Sequence, residues 1–245
     1  MQRVRFLDPA GSVRSGEWTD DGVVFAGTAY DVEEVDVLPP SDPTKLVCIG
    51  RNYAEHAAER GHDLPDRPML FLKGPNALAA HGDDVTLPAG KDRIDHEGEL
   101  AVVIGEQCRN VSAEDAMDVV AGYTASNDLS NRDDQSEEQN WIRGKAFDNS
   151  APVGPAMVPT EAVPDDASIT LRVNGDVRQD STLEYMIFDV PTQIEAITAY
   201  VTLEPGDVIM TGTPEGVGPL EDGDTVEVDI EGIPTLRHSV RIPDA

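Results

Sequence analysis

Short runs of apolar residues separated by turn residues recur along the whole chain, and most are too short to form helices. Residues 46–49 and 100–104 are continuous apolar runs that each end at a glycine, as buried strands often do. Residues 169–173 precede Asn174-Gly175, a dipeptide that favours a type I′ hairpin turn. Residues 226–230 and 235–240 are expected to close the chain as strands. The pattern therefore predicts a mainly β fold with some α structure.

Three segments have the composition or the periodicity of helices. They are residues 54–60, residues 113–120 with Ser112 at the N-cap, and residues 190–203 with Pro191 in the first turn. They are too few to change the fold class.

The first part of the chain has a pattern of its own. Residues 1–36 alternate polar and apolar positions in short runs separated by turn dipeptides, which predicts a small β-meander. The proline-rich stretch at residues 39–43 is typical of a stiff linker. We therefore divide the chain into a small N-terminal β subdomain, residues 1–43, and a larger domain, residues 44–245.

The charge of the chain excludes several classes of partner. Its 245 residues include 47 acidic and 18 basic ones, for a net charge of −29. Such a surface repels nucleic acid and anionic membranes, so neither is an expected partner. No apolar run approaches the ~20 residues of a membrane helix, and the N-terminus carries no signal-peptide pattern, so a cytoplasmic protein is expected. An acidic excess with four lysines is typical of halophilic proteins, whose charges are screened over about 3 Å at 1 M salt.

Two carboxylates stand at the start of the strand predicted for residues 100–104. Glu97 and Glu99 are two positions apart, so in a strand their side chains share a face. Two like charges that close are unfavourable unless a cation neutralises them, and an all-oxygen donor set selects Mg²⁺, Mn²⁺ or Ca²⁺. The alternative, in a chain this acidic, is an exposed acidic edge.

A third metal ligand is expected in the loop that follows the apolar residues 119–123. Asp128, Asp133 and Asp134 are all candidates there, and spacing alone leaves the choice open. Arg132 and Gln135 in the same loop are candidates for binding a substrate carboxylate. A solvated acidic loop is the alternative.

Two further segments carry residues suited to catalysis. His56 and Glu59 share a face of the helix predicted for residues 54–60, and a carboxylate beside an imidazole raises its basicity, as a general base requires. The alternative is a surface histidine beside a chance glutamate. Lys145 lies in an apolar, glycine-punctuated segment, where it serves as a fixed cation, an imine-forming amine or an ordinary surface lysine.

A glycine- and threonine-rich turn at residues 211–218 follows the strand predicted for residues 207–210. Successive backbone N–H groups in such a turn bind a carboxylate or a phosphate. The turn lacks the Gly-Lys-Ser/Thr ending of a P-loop, so nucleotide binding is not expected.

Taken together, these motifs resemble the fumarylacetoacetate hydrolase family, in particular its short two-part members such as acylpyruvate hydrolases and 2-hydroxyhepta-2,4-diene-1,7-dioate isomerases. The resemblance covers about residues 44–240. It is carried in order by residues 50–53 with His56 and Glu59, then by residues 71–73, 95–100, 127–135, 144–148 and 211–218.

The resemblance implies a mixed β-sandwich roll with a small N-terminal β subdomain, assembled as a homodimer. It also implies a role for each matching residue. The metal ligands are Glu97, Glu99 and Asp128, which would hold Mg²⁺ or Mn²⁺, with Ca²⁺ as a substitute in a crystal. His56 and Glu59 would activate water from a lid segment, and Lys145 would act with them in catalysis. The residues implied to bind substrate are Arg132, Gln135, Gly212 and Thr213.

The same resemblance implies a metal-dependent enzyme that acts on a small 2-oxo acid through a metal-stabilised enolate. C–C bond hydrolysis of an acylpyruvate, a reaction of aromatic catabolism, is expected first. Isomerisation or decarboxylation of 2-hydroxyhepta-2,4-diene-1,7-dioate, and decarboxylation or tautomerisation of oxaloacetate, stay open at the same site. Two other hypotheses stay open. The chain is a metal-independent enzyme that forms an imine at Lys145, or a non-catalytic relative that binds a dicarboxylate or a cation.

Overall fold

The fold is built mainly from strands, as the short apolar runs predict, so the prediction of a mainly β fold with some α structure is confirmed. The computed structural model describes residues 1–59 and 63–243. The strands are β1 (Arg3–Leu7), β2 (Val13–Thr19), β3 (Gly22–Phe25), β4 (Thr28–Tyr30), β5 (Asp36–Leu38), β6 (Leu46–Gly50), β7 (Met69–Lys73), β8 (Leu78–Ala79), β9 (Asp84–Thr86), β10 (Ile94–His96), β11 (Gly98–Ile104), β12 (Val120–Asn127), β13 (Ser130–Asn131), β14 (Ala151–Val158), β15 (Ser168–Val173), β16 (Asp176–Thr182), β17 (Val208–Met210), β18 (Gly218–Pro219), β19 (Thr225–Ile230) and β20 (Ile233–Arg241). The α-helices are α1 (Ala54–Glu59), α2 (Arg132–Glu137), α3 (Ile142–Lys145) and α4 (Val190–Thr198). The 3₁₀ helices are Val32–Glu34, Pro75–Ala77, Ala113–Val119, Thr160–Ala162 and Leu183–Tyr185.

The three predicted helices are present at the expected positions but not always with the expected type or length, and α2 and α3 were not predicted. The helix predicted for residues 113–120 is a 3₁₀ helix, and the hydroxyl of Ser112 donates to the Asp115 carboxylate instead of capping a backbone N–H. The helix predicted for residues 190–203 ends at Thr198, whose carbonyl accepts from the Asn110 N–H. Leu203 then pairs with Cys108 as an isolated bridge, so tertiary pairing has replaced further helix. The last residue of the helix predicted for 54–60 lies outside the described residues.

One twelve-stranded sheet runs through the molecule in the order β4-β3-β2-β1-β14-β12-β11-β17-β6-β7, with β5 paired to β1 and β8 to β14. A five-stranded sheet, β16-β15-β19-β20-β9, contributes apolar side chains to the same core as β11 and β12. A small sheet of β13, β10 and β18 lies beside them. The β15–β16 hairpin turns at Asn174 and Gly175, both with positive φ, as the dipeptide predicts.

The N-terminal strands β1–β4 form the predicted antiparallel meander. Val4, Phe6 and Val23 pack there in a small apolar cluster that also includes Ala156 of β14. Strand β1 continues the large sheet through the pairing of Arg3 with Met157. The division of the chain after residue 43 stays a prediction.

Strand β11 carries part of the site and is buried along its whole length. Leu100, Val102 and Ile104 pack into the main core, while Glu99 and Ala101 lie on the opposite face. The antiparallel register pairs Gly98 with Asn127, so the start of β11 meets the end of β12. Within the described part of the chain, the helices are all too short or too polar to cross a membrane.

Candidate metal and substrate site

Three buried carboxylates, which we call the carboxylate triad, meet where β11 begins and β12 ends. Glu97 precedes β11, Glu99 lies within it, and Asp128 follows β12. The Asp128 N–H donates to the Glu97 carbonyl at 2.8 Å, which joins the two strand ends. One oxygen from each carboxylate lies within 4.8 Å of the other two. The structure thus brings together the three residues predicted as metal ligands.

The carboxylate triad fits a divalent cation by its donors and by its charge. Its donors are all oxygen, which hard cations such as Mg²⁺ and Mn²⁺ prefer. Burial, together with the negative charges of Asp128 and Glu97, raises the pKa of Glu99 well above its ordinary value. The ionised form of Glu99 is therefore disfavoured, chiefly by burial, and a cation bound beside the three carboxylates would favour it.

The two other candidates for the third ligand lie elsewhere. Asp134 contacts Lys91 Nζ at 2.6 Å, and Asp133 accepts from the Asp92 N–H at 2.7 Å. Both sit on α2, directed to other partners, so Asp128 completes the triad.

Lys145, at the end of α3, donates directly to the triad. Its Nζ lies 2.7 Å from Glu97 Oε2 and 2.6 Å from Asp128 Oδ2, and 5.2 Å from the centroid of the Phe71 ring. Burial acts to lower the pKa of Lys145, but the carboxylates of Asp128 and Glu97 outweigh it and raise that pKa. The side chain is therefore a charged ammonium, which favours a fixed cation over an imine-forming amine.

Lys73 also supports the triad; it belongs to the family motif at residues 71–73, where the sequence only weakly suggested a role like that of Lys145. Its Nζ lies 2.6 Å from Asp128 Oδ1 and donates to the Ser150 carbonyl at 2.7 Å. The Ser150 hydroxyl in turn donates to the Lys145 carbonyl at 2.7 Å. Asp128 is thus held between two buried lysines, and the scarcity of lysine in the chain was the available signal.

Arg132 is engaged by protein groups on all sides. Its Nε donates to Asp95 at 2.7 Å, one terminal nitrogen donates to Glu97 at 2.5 Å, and the other donates to Gln135 Oε1 at 2.8 Å. Burial acts to raise the pKa of Glu97, but Lys145 and Arg132 together lower it, so this carboxylate stays ionised. Arg132 therefore supports Glu97, and the amide nitrogen of Gln135 is the group left to donate to a ligand.

His56 and Glu59 lie close together on α1 without forming a hydrogen bond. His56 Nδ1 is 3.7 Å from Glu59 Oε2, and that carboxylate oxygen accepts from the Gly216 N–H at 3.2 Å. Burial lowers the pKa of His56, so the imidazole is neutral near pH 7, the form that accepts a proton.

The turn at residues 211–218 is attached to the triad strand through the donors that were predicted to bind a carboxylate. The Gly212 N–H donates to Glu99 Oε2 at 2.9 Å, and the Thr213 hydroxyl donates to the Gly98 carbonyl at 2.9 Å. Gly212 has a φ of +96°, and a Cβ there would lie 2.6 Å from that of Asn52. Only glycine fits this position, which orients Glu99.

Gln179 on β16 is a residue that the sequence analysis missed. Its Oε1 accepts from the Gly98 N–H at 2.9 Å, and its Nε2 donates to Thr213 Oγ1 at 2.7 Å and to the Pro214 carbonyl at 2.9 Å. One buried amide from the other sheet thus ties the turn to the triad strand. No local sequence motif predicts this role of Gln179.

The triad opens into a cavity of about 380 Å³. His56, Gln135 and Thr213 line it together with the triad, Arg132 and Lys145. Phe71 and Trp141 form an aromatic wall, with ring centroids 5.5 Å apart in an edge-to-face arrangement. A pocket of this size with anionic, cationic and aromatic walls suits a small acid that reaches a metal ion.

Comparisons with known proteins identify relatives of this chain. A family model described as fumarylacetoacetate (FAA) hydrolase C-terminal matches residues 45–241. The mitochondrial oxaloacetate tautomerase FAHD1 of Bos taurus is 42% identical over 205 residues, which cover 81% of this chain and 92% of the relative. The structure of 5-carboxymethyl-2-hydroxymuconate delta-isomerase from Mycobacterium smegmatis is 40% identical, with a TM-score of 0.91 and 100% of both chains covered. That of fumarylpyruvate hydrolase from Pseudomonas aeruginosa, in complex with Mn²⁺ and pyruvate, is 33% identical, with a TM-score of 0.76 and coverage of 85% of this chain and 92% of the other.

Proposed function

The chain belongs to the fumarylacetoacetate hydrolase family, and from that premise we propose that it is a divalent-metal-dependent enzyme that hydrolyses the C–C bond of a small acylpyruvate. The observation that carries the proposal is the buried carboxylate triad at the floor of a cavity of about 380 Å³.

Glu97, Glu99 and Asp128 would hold Mg²⁺ or Mn²⁺. When bound, the cation supplies a Lewis acid for the carboxylate and 2-oxo oxygens of the substrate. The fumarylpyruvate hydrolase with Mn²⁺ and pyruvate supports both the class of metal and a pyruvyl group at such a site.

The chain's own residues supply the remaining chemistry. The Lys145 ammonium stands beside the triad, where it stabilises negative charge that develops on the 2-oxo oxygen as the C–C bond breaks. The Gln135 amide nitrogen donates to a second substrate oxygen. Neutral His56 takes the proton from the water that attacks the distal carbonyl, and Glu59, 3.7 Å away, stabilises the imidazolium that forms. The C–C bond then breaks to give a carboxylic acid and the pyruvate enolate, and the imidazolium returns its proton to the enolate carbon.

A second candidate is proton transfer without water, as in keto–enol tautomerisation or double-bond isomerisation of a 2-oxo acid. The open distance between His56 and Glu59 favours it, because moving a proton between carbon and oxygen requires only the imidazole. The tautomerase and isomerase relatives, at 42% and 40% identity, support the same alternative.

We also propose that the chain forms a homodimer through the edge strand β7. Its outer edge has no partner strand in the described ranges, and Leu70 and Leu72 on it are 36% and 54% exposed. Ile142, the residue after Trp141 of the aromatic wall, is 63% exposed. Unpaired strand edges and exposed apolar side chains are normally covered in folded proteins, here by a second copy of the chain. Sedimentation equilibrium at micromolar concentration should give twice the chain mass, and a monomer would contradict this proposal.

The reaction is tested by following the turnover of acetylpyruvate and oxaloacetate by ultraviolet absorbance in molar KCl. Protein stripped of metal with a chelator is compared with the same protein after addition of Mg²⁺ or Mn²⁺. Metal-dependent loss of the acetylpyruvate enol band, with pyruvate produced, is the expected result. Metal-dependent conversion of oxaloacetate alone would move the assignment to tautomerase or decarboxylase. Binding of Mn²⁺ without any turnover would support a non-catalytic relative.

Two matched variants test the site itself. Asp128→Asn removes a triad oxygen charge and should abolish metal-dependent turnover. Asp134→Asn makes the same substitution at an aspartate that pairs with Lys91 and should leave turnover near that of the wild type. Equal activity in the two variants would contradict the proposed metal site.

A further inference from the structure

The backbone of Glu97 is held on both sides, by Asn127 at the end of β12 and by Asp128, which follows it. Its N–H donates to Asn127 Oδ1 at 2.8 Å, and its carbonyl accepts from the Asp128 N–H at 2.8 Å. The backbone of one triad residue is therefore fixed by the side chain of Asn127 and by the backbone of another triad residue.

The Asn127 side chain is itself fixed by a histidine from the other sheet. Asn127 Nδ2 lies 2.9 Å from Nε2 of His238, which is on β20. His238 Nδ1 lies 3.3 Å from the Ser239 carbonyl, an oxygen that only accepts. The hydrogen of the neutral ring therefore sits on Nδ1, and Nε2 accepts from the Asn127 amide.

This arrangement leaves one orientation for the amide. If the Asn127 amide were flipped, its NH₂ would face the Glu97 N–H and its oxygen would face the lone pair of His238 Nε2. Both contacts would be lost in a region where Asn127, His238 and Glu97 are each at most 4% exposed, so water does not replace them.

We propose that His238 is a positioning residue for the metal site: it orients the Asn127 amide, and that amide fixes the peptide from which the Glu97 carboxylate projects. The inference rests on the proposed metal at the carboxylate triad. His238 touches none of the three carboxylates and acts only through Asn127.

The test measures Mn²⁺ binding to the folded protein. The free ion is monitored by its electron paramagnetic resonance signal during the titration. His238→Leu removes the acceptor and should weaken Mn²⁺ binding by about 10-fold or more, as loss of groups that orient metal ligands typically does. His238→Gln keeps an acceptor oxygen and should bind within about 3-fold of the wild type, a rescue that a purely space-filling role does not predict.

His81→Leu is the matched control. Nδ1 of His81 accepts from the Arg237 N–H at 3.2 Å beside the same strand, and its ring packs edge to face against Trp18. Its variant should bind Mn²⁺ like the wild type. If His238→Leu does not fold, His238→Met removes the acceptor without leaving a large cavity and takes its place.

The outcomes separate this inference from the proposed function. Absence of Mn²⁺ binding by the wild type would overturn the metal site, and with it the role of His238. Binding by the wild type and equally tight binding by the acceptor-free variant would overturn only the role of His238. Weakening of the same size in His81→Leu, or no rescue by glutamine, would also overturn it.

Discussion

His238 is expected to make the stability of the fold depend on pH in mildly acidic solution. Burial lowers the pKa of His238 from its ordinary value of 6.5 to about 4; the hydrogen bond to the Ser239 carbonyl opposes this effect, and the nearby His81 adds to it. The ring also accepts from Asn127 through Nε2, the atom that a second proton would occupy.

The sign of the effect follows from where the proton binds. Between pH 6.5 and pH 4 the unfolded chain protonates this histidine while the folded chain keeps it neutral, so acid favours unfolding. The stabilisation is complete above pH 6.5 and is lost progressively as the pH falls to about 4. At about 1.4 kcal/mol per pH unit, the whole window is worth about 3 kcal/mol, of which about 2 kcal/mol is lost by pH 5.

The assay is urea unfolding of the wild type and of His238→Gln at pH 8 and pH 5, in the presence of a chelator so that metal binding does not contribute. The variant should lose about 2 kcal/mol less than the wild type between these two pH values. Other groups that titrate in this range contribute equally to both proteins and cancel in the comparison. An identical loss in the two proteins would refute the assignment of His238 as a buried neutral histidine.

Three further predictions concern the lysines and the surface charge. Lys145→Met should lower turnover at least 100-fold, and borohydride with substrate should leave no reduced adduct on the wild type by mass spectrometry, whereas an adduct at Lys145 would favour the imine enzyme. Lys73→Met should destabilise the metal-free protein by about 3–5 kcal/mol because it leaves Asp128 short of a buried partner. Lys91→Met removes one member of a more exposed pair and should cost far less in the same urea titration. Raising KCl from 0.1 to 2 M should raise the melting temperature because salt screens the repulsion among 47 acidic residues; an unchanged or lower melting temperature would count against a halophilic protein.

Local pattern was enough to predict the elements that carry the site. The continuous apolar run at residues 100–104 predicts a buried strand because every position in it is covered in the fold. The two-residue spacing of Glu97 and Glu99 predicts a shared face because strand side chains alternate. Helix ends were less predictable: α4 stops at Thr198, whose carbonyl accepts from the N–H of Asn110, a residue far away in the sequence.

Pairing between distant segments decided the rest of the site. Spacing left Asp128, Asp133 and Asp134 equivalent, and the antiparallel register of β11 with β12 selects Asp128. The pairing of β10 with β13, which sets Asn131 opposite Ile94, brings the next residue, Arg132, to Glu97 as a support for the triad.

The sequence by itself determined the strand-rich fold, the carboxylate pair and the family motifs. Each strand, the pair and each motif depends on residues that are neighbours along the chain. Only the tertiary structure revealed the roles of Lys73, Gln179 and His238. Each reaches the site from a strand outside the triad's own segments, and its role depends on an ion pair or a hydrogen bond with a residue far away in the sequence. Such contacts leave no periodicity or spacing in the sequence, since the chain brings the partners together only when it folds.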